Sequence, residues 1–218
     1  YIVFGGIPLY LSLINPCESL VQNVDRLFFA PGGIMRSEFD ELYNALFANA
    51  DLYINVVKSM AGHHEGMSRD EIAKATGVSG GTLTRVLTNL ERCDFIARSR
   101  NFGQKSKDTI YRLVDFYTLF YYKFIMQDTA GDEQWWSHNF ESRAVSVWQG
   151  LTFETVCLMH TDCIKRALGI SGMATEISAW RKTAGEGEKG GQIDLIIKRA
   201  DRIIHLCEMK FSKSEYRI

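Results

Sequence analysis

The chain has no long apolar run. None approaches the roughly 20 residues that an α-helix needs to span a bilayer, so no membrane-crossing helix is expected and no membrane partner. It also lacks a charge imbalance: 25 Lys and Arg stand against 26 Asp and Glu, a net charge of -1, so attraction to nucleic acid must come from local patches. Paired cysteines are missing as well. Cys17, Cys93, Cys157, Cys163 and Cys207 are an odd number with no C-x-x-C spacing, which argues against a disulfide framework or a zinc site and for a reducing, cytoplasmic setting. There is no G-x-x-x-x-G-K-[ST] loop, whose amides and Lys cradle phosphates, so these residues cannot bind ATP by that mechanism.

What is present is an ordinary globular composition, 46% hydrophobic and 23% charged, enough for one large or two small domains. The sequence opens on Tyr1 without a signal-peptide pattern, and it stops soon after its most informative stretch, so a piece of a longer polypeptide is expected. Residues 1–50 read as helices: Leu9 to Ile14, then Leu20, Val21, Val24, Leu27 and Phe28 at helical spacing. A third is expected to be capped by Ser37 and to carry Phe39, Leu42, Tyr43, Leu46 and Phe47 on one stripe.

Residues 51–113 read as a winged helix-turn-helix. Ser68-Arg69-Asp70-Glu71 is a capping box, Gly77 supplies a left-handed turn, and Ser79 is placed to cap a second helix bearing Leu83, Val86, Leu87 and Leu90. Ile54, Val57 and Met60 on the preceding helix complete its core. Phe95–Arg98 and Ile110–Leu113 are the strands of a wing. Thr82, Thr84, Arg85, Thr88 and Asn89 face outward on the second helix, where they can reach bases or phosphates in a major groove. Arg92, Arg98, Arg100, Lys105, Lys107 and Arg112 make a local basic surplus in the wing. The alternative use of such a module is contact with a protein, or service as a spacer.

Residues 114–149 form a helical bridge whose Phe116, Tyr117, Phe120, Tyr121 and Phe124 read as packing rather than as a base-stacking platform. His63-His64 reads as a solvated loop and His160 as a satisfied core residue. From Gly150 a helix is expected to run to Gly169 with Glu154 in its first turn, followed by a strand over 174–181 and a hairpin. Asp194 interrupts an apolar arm, and Glu208 and Lys210, two apart, share a face of the second. Two carboxylates converging on Mg²⁺ or Mn²⁺ beside an ammonium are the parts of a phosphodiester hydrolase, with Asp194 and Glu208 as ligands and Lys210 orienting water or offsetting charge.

Gly191-Gln192-Ile193-Asp194 followed by Cys207-Glu208-Met209-Lys210 resembles the core motif of the PD-(D/E)XK nucleases. That superfamily usually adds a Glu from the preceding helix, which implies a catalytic role for Glu154, acting through a water. Phe4-Gly5-Gly6-Ile7-Pro8-Leu9-Tyr10-Leu11 is similar to the last part of the helical lid in a family of prokaryotic P-loop ATPases that continue into a winged helix and a PD-(D/E)XK domain. The resemblance implies a multi-domain α+β and α/β chain. It would comprise a lid remnant over 1–50, a winged helix over 51–113, a bridge over 114–149 and a truncated nuclease-like core over 150–218. It also implies DNA as partner, ATP bound only through a missing N-terminal domain, and oligomerisation through that domain. A non-catalytic regulatory module of an ATP-dependent switch is the alternative.

The hairpin allows a geometric expectation. A connection of Ala200, Asp201 and Arg202 sets Arg199 opposite Ile203 and Asp194 opposite Glu208, on one face, whereas a two-residue turn at Ala200-Asp201 would divide the two carboxylates between faces.

Overall fold

A computed structural model of the protein describes residues 1–103, 109–127, 131–182 and 190–212. It is a mixed α+β chain with a winged-helix component. The first segment holds α1 (Pro8–Ser12), α2 (Leu20–Val24) and α3 (Ile34–Leu46). Pro8 sits in the first turn of α1, where its missing N–H costs nothing. A capping box starts α2: Gln22 N donates to Ser19 Oγ at 3.2 Å, and Ser19 N donates to Gln22 Oε1 at 2.8 Å. The helix then widens into a π turn, Asp25–Phe29, which buries Leu27, Phe28 and Phe29.

Two details of this segment differ from expectation. Ser37 does not cap α3; the helix starts a turn earlier, after Gly33, and the Ser37 hydroxyl donates to the Ile34 carbonyl. Leu46 and Leu20 are exposed. Phe47, extended just past the end of α3, fills the inner position by stacking on Tyr53 with centroids 3.9 Å apart.

The winged helix follows as α4 (Ala50–Met60), β1 (Met67–Ser68), α5 (Arg69–Thr76), α6 (Gly80–Arg92), β2 (Ile96–Arg100) and β3 (Thr109–Leu113). The Ser68–Glu71 capping box forms, and Gly77 ends α5 at φ 71°. Ser79 occupies the cap position of α6 without a side-chain bond, because the chain enters that helix through Gly80 at φ 59°. Leu83, Val86, Leu87 and Leu90 are all buried, as their spacing requires. The strands pair antiparallel, Ile96 opposite Leu113 through Arg100 opposite Thr109, and β1 adds to the far side of β3. At two residues, β1 is too short to leave a pattern in sequence.

After the wing come α7 (Phe116–Phe120), continued by a π turn at Tyr121–Ile125, then α8 (Trp135–Asn139). A single hydrophobic cluster runs from Val3 to Trp148, so the first segment, the winged helix and the bridge share one core. The bridge aromatics build its centre: Phe120 lies 4.8 Å from Phe28 and 5.5 Å from Trp148, ring centre to ring centre. Polar ties reinforce it. The Tyr117 hydroxyl donates to the Met35 carbonyl at 2.8 Å, and buried Asp25 accepts from the amides of Trp136 and Ser137 at the start of α8.

The last unit comprises α9 (Arg143–Met159), α10 (Thr161–Ala167), β4 (Thr175–Lys182), β5 (Gly191–Arg199) and β6 (Ile204–Cys207). Here the expected single helix is corrected. Ser142 caps α9 eight residues before Gly150, and the helix breaks at His160 and resumes as α10 until Gly169 at φ 70°. Glu154 therefore sits well inside α9 rather than in a first turn. His160, placed at the break, is exposed, with Nε2 3.4 Å from the Tyr1 hydroxyl, so it is not a core residue. The sheet order is β4-β5-β6, all antiparallel. A small second cluster of Ile170, Leu195 and Ile197 lies beneath it, separate from the main core.

Candidate nucleic-acid interface and acidic pocket

Two surfaces gather the candidate residues. The first is the outer side of α6 and the wing. Thr82, Thr84 and Arg85 are exposed on α6, while Thr88 and Asn89 are half-buried. Asn89 is turned inward: its amide donates to the Tyr53 hydroxyl on α4 at 2.8 Å, so it braces the three-helix core instead of standing free. Thr84 and Thr88 share a shallow recess with Arg69, Arg98 and Glu91. Arg69 was not singled out in the sequence; its guanidinium reaches across from α5 and donates to the Gly80 carbonyl at 2.7 Å. Arg98 is ion-paired with Glu91, so its charge is locally compensated. Arg85 and Arg100 are exposed and have no ion-pair partner among the described residues. Lys105 and Lys107 lie outside the described residues.

Arg112, counted in the sequence as part of the basic surplus, points the other way. Its Nη1 donates to Glu154 Oε1 on α9 at 3.2 Å, with both side chains about 85% buried (exposures 15% and 16%). Alongside it, the end of the wing docks on β4: Phe102 N donates to the Ala179 carbonyl at 2.8 Å, and Asn101 bridges the same residue in parallel fashion. No sequence signal separates an inward Arg from an outward one in Ile110-Tyr111-Arg112-Leu113.

The second surface is a pocket of about 200 Å³ between the winged helix and the last sheet, with His64, Glu71 and Arg112 on one side and Glu154, Gln192 and Asp194 on the other. The hairpin adopts the first of the two registers considered. Leu195 is opposite Cys207 and Lys198 opposite Ile204, and Arg199 N donates to the Ile203 carbonyl at 2.8 Å across Ala200, Asp201 and Arg202. Arg202 takes the left-handed conformation, φ 69°, that closes the turn. Continued by one residue, that register sets Asp194 across from Glu208. The ladder itself ends at Cys207. The Asp194 carboxylate spans the gap, accepting from Met209 N at 2.8 Å and from Gln192 Nε2 at 2.9 Å. On the other edge the register shifts by one between Ser178 and Trp180, so Asp194 and Leu195 together oppose Ala179. Such a bulge re-aims the side chains beside it.

Asp194 is 7% exposed and satisfied by those two donors, which is how a carboxylate survives among Leu195, Ile196 and Ile197. Burial pushes the Glu154 carboxyl above its usual range; Arg112 opposes the rise and the Asp194 charge adds to it. Glu154 and Asp194 thus face one pocket. Glu208 is exposed and ion-paired with Lys210. Among the described residues no three His, Cys, Asp or Glu side chains are grouped as metal ligands. His63 and His64 are exposed, as a loop predicts. No helix is long and apolar enough to cross a membrane among the described residues.

The sequence model of the MarR family matches residues 59–103, about a fifth of the chain, from the end of α4 through β2. Nothing among curated proteins or solved structures matches the chain.

Proposed function

We propose that this chain is a DNA-binding regulatory module that reads duplex DNA with α6 and the wing. The observation that carries the reading is the division of α6: its apolar face is sunk in the core, while Thr82, Thr84 and Arg85 stand exposed, and Arg100 is exposed on β2. An exposed helix face with hydroxyl and guanidinium donors fits a major groove, and an adjacent basic strand fits the flanking phosphates. The MarR-family match covers this same segment. Arg85→Ala should weaken duplex binding about ten-fold or more if it reaches a base edge or phosphate. Unaltered affinity, measured by fluorescence anisotropy, would remove α6 from the interface. On the same reading, residues 1–50 and the last unit are the lid and nuclease-like parts of a P-loop ATPase, with ATP bound outside these residues.

A second reading, metal-assisted phosphodiester hydrolysis, is favoured by one observation: Glu154 and Asp194 line a common pocket. The residues do not fit an ion as they stand. Arg112 occupies Glu154, two donors occupy Asp194, and Glu208 is paired with Lys210. Mn²⁺ titration by calorimetry decides between the readings. Binding that is lost in both Asp194→Asn and Glu208→Gln supports the hydrolase, and no binding in the unaltered protein leaves the regulatory module.

A further inference from the structure

The wing has two faces, and the last unit meets only one of them. Opposed strand residues share a face and neighbours alternate, so Ala97, Ser99, Ile110 and Arg112 project to one side of β2 and β3, and Arg98, Arg100, Thr109 and Tyr111 to the other. The second side belongs to α6: Glu91 holds the Arg98 guanidinium there, in the recess that Tyr111 shares with Thr84 and Thr88. The first side turns to the last unit, where Arg112 reaches Glu154. The ribbon is rooted in the core at Ile96 and Leu113, both buried, and β1 pairs only with Tyr111 and Ile110. Its outermost pair, Arg100 and Thr109, therefore gains no third strand from β1, and a two-stranded ribbon is marginal by itself. Support comes from β4 instead. The register shift leaves Ala179 out of the β4–β5 ladder, and its carbonyl accepts at 2.8 Å from the amide of Phe102, just past the end of β2.

We propose that the last unit is a positioning support for the wing: the Arg112–Glu154 pair and the Phe102–Ala179 bond hold β2 and β3 in the orientation that meets DNA. It rests on the DNA-binding reading and adds what governs that binding. Arg112 and Glu154 are positioning residues, because their contact lies on the side of the ribbon turned away from α6. Glu154 is a firm anchor: α9 is rooted in the main core by Val145 and Trp148, and its Leu158 packs on the second cluster. The ties are narrow. Pockets of about 200 and 190 Å³ lie beside them, both lined by Arg112 and Ala179, so continuous packing does not close this contact. Docking leaves the basic side of the ribbon uncovered, with Arg100 exposed on the same side as Arg98. The docked wing is thus the binding-competent one, and a wing docked only a fraction of the time raises Kd by the inverse of that fraction.

The test measures duplex affinity and its salt slope by fluorescence anisotropy for the whole chain, unaltered and as Glu154→Met, Phe102→Pro and Arg100→Ala. Glu154→Met removes the acceptor of Arg112 together with a negative charge, and electrostatics alone would then tighten binding to DNA. The expected result is the opposite: affinity weakened about three- to ten-fold, a docked fraction of about a third to a tenth, with the salt slope unchanged because no phosphate contact is lost. Phe102→Pro deletes the other donor and should weaken binding in the same way; if Glu154→Met does not fold, this variant decides alone. Amide hydrogen exchange over β2 and β3 should quicken in both variants while that of α6 stays as it is. Affinity unchanged or tighter, a slope flattened as in Arg100→Ala, or exchange quickened equally in α6 would overturn the proposal and leave DNA binding in place. An unaltered protein that binds no duplex would overturn both.

Discussion

Arg112→Met removes the charge that links the wing to α9 while keeping an apolar stem of similar reach. The variant leaves Glu154, 16% exposed, facing Asp194 without its guanidinium partner, and His64 as the remaining group whose charge favours the carboxylate. Removing one partner of a fully buried pair costs about 3–5 kcal/mol; here the pair lines a pocket and keeps some exposure, and about 2–3 kcal/mol is expected. The pH dependence follows from the direction of the Glu154 shift. A carboxyl whose folded pKa lies above its unfolded value contributes stability below the unfolded range, and that contribution is lost as pH rises through the folded value. Loss of Arg112 raises the folded value further. The penalty of Arg112→Met should therefore be largest where Glu154 is ionised and shrink as pH falls through the raised folded range of that carboxyl, as Glu154 takes up a proton and no longer needs a cation. Urea unfolding of the unaltered protein, Arg112→Met, Glu154→Gln and the double variant isolates the coupling. A coupling of about 1.5–3 kcal/mol at neutral pH is predicted. Coupling indistinguishable from zero, or growing as pH falls, would refute the docked wing.

Gly66→Ala and Gly77→Ala should differ although both glycines have positive φ. At Gly66 an added Cβ would stand 2.7 Å from the Tyr111 carbonyl, so β1 must part from β3 at about 3 kcal/mol or more, while open space at Gly77 leaves only the left-handed strain of about 1–2 kcal/mol. Equal shifts in thermal midpoint would deny the close approach. Asp25→Ala strands the first amides of α8 and should cost about 2–4 kcal/mol in urea unfolding, with an effect under about 0.5 kcal/mol meaning that α8 is held by packing alone. Tyr43→Phe removes the buried contact of 3.1 Å with the Thr118 hydroxyl and should cost about 1 kcal/mol by the same measurement; no loss would show that the hydroxyl is satisfied elsewhere.

The winged helix was the most legible part of the sequence because each of its signals is local. The Ser68–Glu71 box, Gly77 and the apolar positions of α6 act over three or four residues, and short-range rules describe them. The hairpin register was legible for a similar reason: Ala200-Asp201 lacks the residues of a two-residue turn. What escaped depends on distant partners. The break at His160 and the earlier start of α9 leave no clear mark in an apolar run. The inward turn of Asn89 depends on Tyr53, that of Arg112 on Glu154, and the completed bonding of Asp194 on Met209. Each pairs residues 15 to 42 positions apart, beyond the reach of any periodicity.

The central claim, that α6 and the wing bind duplex DNA, is tested most directly by the salt dependence of affinity. Neutralising a phosphate releases counterions, so log K against log salt should fall steeply, with a slope of about -0.9 per contact. Arg100→Ala should flatten that slope by about one unit, and Arg98→Ala by less, because Glu91 already holds Arg98. A duplex affinity that ignores both salt and Arg100 would contradict the claim and point to a protein partner for this face.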